Sequence, residues 1–429
     1  MRFTAAGDAI IGRNIQNDFQ GYEEISSFIN KGDARFFNLE TTLNYEGECF
    51  TSQFSGGTYL RTNPELLQDL KKFGFNITSF NNNHAMDYSY DGLLKTLDFV
   101  KKSGLVNAGV GRNLAEASAP KYLETSNGRV ALISANTTFD PAMMAGVQTE
   151  RIKGRPGING IRSERLSVVT KENFECIKNI AEMTKINAYE KIMINEGYAT
   201  ALPDNIIKYG NEKFCLGEMN SVKNILNADD MARMERSIFE AQLQADYIIV
   251  SVHSHELYGE SKENPSDFLI EFAHRCIDMG ANAIIGHGPH LLRPIEVYKD
   301  CPIFYSLGDF ILQLYNIEFA PAEMYEKYGL SHGETIHKLL KTRSKDFKIG
   351  LMEEKKMFET VIPYWETKKG KLKKLSLMPV QLQMSGNKSE IGLPRRDYDL
   401  RFAQRFIKMC EPYGVKINIE SNKMLECSW

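Results

Sequence analysis

The chain lacks any run of about 18 apolar residues, so no helix is expected to cross a membrane. It opens Met1-Arg2-Phe3-Thr4-Ala5-Ala6-Gly7-Asp8, without the apolar core of a secretory signal. It has no CxxC pair, and its seven cysteines are an odd number at irregular spacings. A disulfide scaffold and a zinc ribbon are thereby excluded, and reduced thiols in a cytoplasmic protein are expected. No charge sign dominates: 52 basic residues face 55 acidic ones, for a net charge of −3. A general nucleic-acid binder would carry a basic excess. Repeats and low-complexity tracts are also missing. What is present is 429 residues with 42% apolar and 10% aromatic content, enough for a sizeable core.

Short apolar runs alternate with helix-forming stretches. Residues 3–6 lead to Gly7-Asp8, residues 34–39 to Glu40, and residues 75–80 to Asn81-Asn82-Asn83-His84. Pro64 opens a helix that stops at Gly74. Leu93, Leu94, Leu97 and Val100 share one face of a helix closed by Gly104. Residues 129–135 form a further strand. Residues 141–240 are polar, helix-prone and interrupted by Arg155-Pro156-Gly157, which predicts a helical insertion covering the substrate. The strand pattern then resumes: 247–252 before His253, 283–285 before Gly286-His287, and 302–307 before Gly308-Asp309, with a helix over 267–279. Such alternation predicts an α/β layered sheet. Residues 345–429 are expected to complete a single domain spanning 1–429. They supply a hairpin around Lys369-Gly370-Lys371, a helix from about Asp397 to Cys410 and a strand near Ile417.

Asp8, Glu40, His84, His253, His287 and Asp309 each fall at or just beyond the C-terminal end of an apolar run. In open α/β sheets that edge forms the ligand crevice. Five of the eight histidines gather at three such places: His84, His253 with His255, and His287 with His290. Asp, Glu and several His are ligands for zinc, manganese or iron. A metal so held lowers the pKa of its water to about 7. Without a metal, the same groups serve as general acid and base. Arg13, after Asp8, and Arg293, after His290, are candidate anion contacts, because guanidinium forks suit carboxylate or phosphate.

Several of these stretches carry a resemblance. They are Gly7-Asp8 with Arg13, Asn38-Leu39-Glu40, Asn83-His84 with Asp87, Gly109 to Gly111, His253, Gly286-His287-Gly288-Pro289-His290 and Tyr305-Ser306-Leu307-Gly308-Asp309-Phe310. In order and spacing they resemble the signature of the CapA-type capsule-synthesis (poly-γ-glutamate) family across residues 1–315. That family is similar to the calcineurin-like metallophosphoesterases. The resemblance implies a four-layer sandwich, two β-sheets flanked by helices, with metal-ligand loops at one end. It implies His84 as proton donor and Asn83 as a ligand. Asp8-Ala9-Ile10 departs from the Asp-x-His of those enzymes, and Glu40 replaces their bridging aspartate. Their final Gly-His-x-His gains a residue here. A mononuclear site is therefore expected rather than a dinuclear one. Its divalent metal (Zn, Mn or Fe) would sit on Asn83, His253, His287 and Glu40. A metal-free site stays open. The catalytic candidates are His84, Asp8, Glu40, His255 and His290. Asp309, where the family has Asn, joins Arg13 and Arg293 as a substrate contact.

Three functions remain open at this point. One is an intracellular hydrolase that attacks an anionic ester, phosphoester or amide with a metal- or His-activated water. Another is a metal-independent peptide-modifying enzyme of the epimerase type, which removes and returns a Cα proton. The third is a non-catalytic accessory protein of poly-γ-glutamate or capsule synthesis. The expected partner is an anionic small molecule, a peptide or polyglutamate.

Overall fold

The computed structural model describes residues 1–16, 19–396 and 398–429. Two compact units divide the chain: Met1–Ile161 with Ala232–Trp429, and Arg162–Met231.

In the larger unit, the parallel strands β1 (Arg2–Ile10), β2 (Ala34–Leu39), β3 (Ile77–Ser79) and β4 (Val106–Ala108) form one side of a ten-stranded sheet. A six-stranded sheet follows, from β5 (Lys121–Thr125), β6 (Gly128–Asn136), β7 (Tyr247–His253), β8 (Ala283–His287), β9 (Ile295–Tyr298) and β10 (Cys301–Phe304). The first sheet is then completed by β11 (Asp309–Leu312), β12 (Glu359–Lys368), β13 (Lys371–Leu382), β14 (Pro394–Arg395), β15 (Lys416–Ile419) and β16 (Leu425–Ser428). Its order is β15-β16-β13-β12-β1-β2-β3-β4, with β11 also beside β1 and β14 beside β13. The order of the second is β9-β10-β8-β7-β6-β5. With helices between many of these strands, the fold class is α/β.

The two-residue period of each strand sorts side chains onto two faces. On β2, Ala34 and Phe36 join one apolar cluster while Phe37 and Leu39 join another. The first cluster also takes Phe3, Val361 and Trp365 from the ten-stranded sheet and Val130, Leu132, Tyr247, Ile249 and Ile285 from the six-stranded one. The sheets therefore share a core. The Phe3 ring stacks on Tyr247 at 4.2 Å and on Trp365 at 5.1 Å. The buried Trp365 Nε1–H donates to the Tyr247 hydroxyl at 3.1 Å, which keeps that indole satisfied. On the other face, helices Tyr22–Ile29, Leu67–Lys72 and Ser89–Ser103 contribute Ile25, Phe28, Leu70, Leu93 and Val100.

The late hairpin turns through Lys369 and Gly370, both left-handed at φ 54° and 74°. That pair suits a two-residue connection between twisted strands. The hairpin does not merely append to the sheet, since β12 pairs antiparallel with β1. The helix expected from about Asp397 runs over Leu400–Cys410, capped by Asp399, whose carboxylate accepts from the Arg401 amide. Asp397 itself lies outside the described residues.

Residues 141–240 depart from the purely helical expectation. Residues 141–161 belong to the larger unit, where Gly157–Ile158 pairs with Val110–Gly111. The smaller unit has helices Lys171–Thr184 and Ala188–Asn195 and a four-stranded sheet of Ile206–Tyr209, Glu212–Leu216, Ser163–Val169 and Ser221–Leu226. Those strands bury few residues, and Val222 and Ile225 are exposed. The in-out alternation that marks a strand in sequence is correspondingly weak. Among the described residues, no helix is long and apolar enough to cross a membrane. All seven cysteines are free thiols.

Candidate metal centre and acid-base site

Parallel pairing brings the strand ends level. Asp8 stands opposite Asn38 of β2 and Asp309 of β11, and His253 of β7 stands opposite His287 of β8. The register of β1 shifts between Ala5 and Asp8, the kind of irregularity that re-aims a side chain. Gly7 is required there, since a Cβ would stand 1.7 Å from the Gly308 carbonyl oxygen. That close approach lets the Asp8 amide donate to the same oxygen at 3.0 Å.

The side chains of Asp8, Glu40, His253, His287 and Asp309 are fully buried. Asp8 accepts from Asn38 Nδ2 at 2.7 Å and from the Gly288 amide at 2.8 Å. His290 Nδ1 lies 2.9 Å from Asp309 Oδ1, and its Nε2 lies 3.9 Å from Glu40 Oε1. His253 Nε2 lies 3.8 Å from Glu40 Oε1, 2.7 Å from Asn83 Oδ1 and 3.0 Å from His255 Nε2. His253 and His287 bring their Nδ1 atoms within 2.9 Å, and His287 Nε2 lies 2.7 Å from Ser251 Oγ. Beside Asn83, His84 sets Nδ1 2.7 Å from Asp87 Oδ2, while the Gly56 and Leu60 amides hold Asp87. Both oxygens of Glu40, and Oδ2 of Asp309, are buried without a hydrogen-bond partner.

Burial dominates the electrostatics. It raises Glu40 well above the usual carboxylate range, and the neighbouring Asp8 adds to the effect. Asp8 is pushed up to about 7 by burial and then by Asp309, against the pull of His290. Asp309 is raised by burial, with His290 opposing. For His290, burial favours the neutral ring, but Asp309 and Glu40 outweigh it and lift the group to about 10. His253 and His255 fall well below their ordinary value, through burial and then their neighbouring imidazoles. Burial alone takes His287 to about 3. The neutral imidazoles are in the state a metal ligand needs. His290 also sits at φ 59°, a left-handed backbone that costs a non-glycine residue on the order of 1 kcal/mol and recurs at functional sites.

Three overlapping sets offer ligand atoms that all lie within 4.8 Å of one another. They are Asp8, His253 and His287; Glu40, His253 and His255; and Asp8, Glu40, His290 and Asp309. The structure thus brings together Asp8, Glu40, Asn83, His253, His255, His287, His290 and Asp309, with His84 adjoining through Asn83. Asp309 is placed differently from its expected role as a substrate contact: its register with Asp8 sets it among the possible ligands.

The two arginines do not join this cluster as an anion clamp. Arg293 is fully buried, and its guanidinium is consumed by backbone. Nε donates to the Lys262 carbonyl (2.9 Å), Nη1 to Ser254 (3.2 Å), and Nη2 to His255 (3.3 Å) and Glu256 (2.8 Å). Arg13 is exposed and donates to Asn316 Oδ1 at 2.6 Å. Nearness in sequence to His290 and Asp8 was their only signal, and it does not say which partners the guanidinium groups take: backbone carbonyls for Arg293 and Asn316 for Arg13. Ser251, which orients His287, went unnoticed in the sequence, and Asn38, which orients Asp8, stood there only as part of the family signature. Each lies inside a strand, where a polar residue among apolar neighbours was the available sign.

The family model for "Bacterial capsule synthesis protein PGA_cap" matches residues 2–314. The uncharacterized protein y4sH of Sinorhizobium fredii is 32% identical over 97% of this chain and 90% of its own length. The capsule biosynthesis protein CapA of Bacillus anthracis is 24% identical over 72% of this chain and 59% of its own. The PGA biosynthesis protein CapA of Bacillus subtilis is 25% identical over 71% and 61%. The chain thus spans about three fifths of each CapA protein. The family match takes in every residue of the buried carboxylate–histidine cluster, from Asp8 to Asp309, and the chain belongs to the bacterial capsule synthesis protein PGA_cap family.

Proposed function

We propose that the site is hydrolytic and acts on an anionic ester, phosphoester or amide, with polyglutamate or a related acidic peptide as the substrate suggested by the family. The observation that carries this reading is Glu40. Its two carboxylate oxygens are buried and unpartnered, with Asp8, Asp309 and three histidines around them. A buried carboxylate without a partner costs several kcal/mol and calls for a cation. Side chains of this chemistry fit a divalent metal. Asp8, Glu40, His290 and Asp309 would hold it, and His253, His255 and His287 form neighbouring sets that share Asp8 or Glu40 with it. When bound, such a cation supplies a Lewis acid and a more acidic water.

The protein's own groups do the rest. Asp87 holds His84 by Nδ1, which leaves Nε2 for proton transfer to the leaving group. His84 is only 6% exposed, so bulk water is largely kept from that proton. Asn83 fixes His253 through Nε2, and Ser251 fixes His287. Two sheets that share a core, with helices outside and ligand residues at one end, support the metallophosphoesterase-type sandwich as the framework.

Elemental analysis of the purified protein, with a screen of phosphoester and acidic peptide substrates, tests the reading. His84→Asn retains a donor for Asp87 and is expected to lower turnover by about 10²–10⁴ at unchanged metal content. A folded protein that binds no divalent cation and keeps its turnover in His84→Asn would sink it.

A further inference from the structure

A cavity of about 740 Å³ opens on the surface of the larger unit, within the range of about 300–1,000 Å³ usual for ligand sites. Gln53, Phe54, Ser55 and Gly57 of one loop line it. So do residues of helix Ala322–Lys327 and Arg343, the last residue of helix Ile336–Arg343. Within that loop, Gly56 touches the candidate site directly. Its amide donates to Asp87 Oδ1 at 3.1 Å, and its carbonyl accepts from Asn83 Nδ2 at 3.4 Å. The fit is close, since a Cβ on Gly56 would stand 2.5 Å from that Nδ2. The helical side is tied to the same stretch, because the Tyr59 amide donates to the Phe319 carbonyl at 3.1 Å, just before Ala322–Lys327 begins. The cavity and the His84–Asp87 pair thus share one loop.

The charges on its walls decide the ligand. Lys327 and Arg343 are exposed, and among the described residues neither side chain has an ion pair or a hydrogen bond. Elsewhere on the Arg343 helix the cations are engaged: Lys338 pairs with Glu334, and Lys341 with Asp346. Two free cations facing one cavity call for negative charge. Glu323 also lines it, exposed and equally without a partner among the described residues, while Asp140 accepts from the Ala142 amide at 2.8 Å. A free carboxylate beside two free cations calls for a donor as well. A phosphate chain presents acceptors alone and would be repelled by Glu323. A peptide with acidic side chains presents both, carboxylates for the cations and backbone N–H groups for Glu323. Phe54, Met324 and Tyr328 supply surface for its methylenes.

We infer that this cavity is a binding groove for a short acidic peptide, in which Lys327 and Arg343 receive side-chain carboxylates and Glu323 receives a backbone N–H. That the peptide so held is the one cleaved rests on the hydrolytic reading; the binding itself does not.

The test uses full-length protein stripped of metal. It is titrated in a calorimeter with end-blocked tetraglutamate, and separately with end-blocked tetraglutamine and with tripolyphosphate. Tetraglutamate should bind with a dissociation constant on the order of 0.1–1 mM and weaken as salt rises. Tetraglutamine should bind at least about tenfold more weakly, and tripolyphosphate more weakly too, despite its higher charge. Lys327→Gln and Arg343→Gln should each raise the tetraglutamate dissociation constant about three- to tenfold at an unchanged melting temperature, since both side chains are exposed. Glu323→Gln should tighten tripolyphosphate binding and leave tetraglutamate no tighter. Absent tetraglutamate binding, unchanged affinity in the Lys327→Gln, Arg343→Gln double variant, or an equal gain for both ligands in Glu323→Gln would each overturn the inference. Divalent cation binding and phosphoester turnover are measured on the same preparations after metal is restored. Tetraglutamate binding without either removes only the hydrolytic reading, and both without tetraglutamate binding remove only the groove.

Discussion

Arg293→Met separates a structural arginine from a substrate clamp. In the wild type, one guanidinium satisfies the carbonyls of Ser254, His255, Glu256 and Lys262, the stretch that carries His255. Methionine fills much of the aliphatic volume, so little cavity cost arises. The loss is therefore in hydrogen bonding. A buried acceptor left unpaired costs about 1–3 kcal/mol. The carbonyls of Glu256 and Lys262, bonded at 2.8 and 2.9 Å, should bear most of it, and those at 3.2 and 3.3 Å less. The sum is about 3–6 kcal/mol. An unfolding entropy of about 2.1 cal/mol/K per residue over this chain turns that into a melting-temperature drop of roughly 3–7 °C. Calorimetry reads the drop, and hydrogen exchange should show faster amides in residues 254–262. Arg293→Lys should recover little, because a single ammonium cannot reach acceptors spread around a planar fork. A melting temperature within about 1 °C of wild type, combined with lost anion binding, would refute the reasoning and restore the clamp.

Glu40→Gln should lower divalent cation affinity by at least about a hundredfold, beyond the 10–100-fold typical of supporting residues. In metal-stripped protein it should leave the melting temperature equal or higher, since it replaces a buried carboxyl whose ionisation burial and Asp8 already oppose; a marked loss by calorimetry would mean that Glu40 has a partner. Asp33→Asn tests a surface pair, in which Arg2 donates to Asp33 from its backbone (2.9 Å) and from Nη2 (2.8 Å). Burial works against ionisation of Asp33, yet the bonds from Arg2 hold its pKa below the ordinary value. A lowered folded pKa gives stability that is full above the unfolded value of about 3.9 and vanishes as pH falls through the folded one. The wild-type advantage in urea midpoint should correspond to about 0.5–1 kcal/mol at neutral pH, small because Arg2 is half exposed, and should close in acid. A gap that persists at low pH would contradict this.

Period and punctuation made much of the larger unit legible. Strand Ala34–Leu39 has the bounds its apolar run predicts, and the helix Ser89–Ser103 ends where Gly104 takes φ 81°. The gathering of Asp8, Glu40, His253 and His287 was legible too, because parallel strands put their C-terminal ends on one edge. Long-range register was not legible. Nothing near Asp309 shows that it will lie opposite Asp8, and nothing near Arg293 points to the carbonyls of residues 254–262. The small sheet within 162–231 stayed hidden because its strands lack a well-buried face.

The placement of β12 beside β1 has a consequence for how the chain is made. The Met1 amino group donates to the Thr367 carbonyl at 3.1 Å, a contact between residues 366 positions apart. At translation rates of about 5–20 residues per second, the two partners leave the ribosome roughly 20–70 s apart. Throughout that interval Arg2, Phe3 and Thr4 have β2 on one side and an unpaired edge on the other. An apolar edge open for so long is a template for pairing with another nascent chain. Aggregation during synthesis should therefore depend on how quickly residues 359–368 arrive, and slow codons placed before them should lower soluble yield without altering the finished protein.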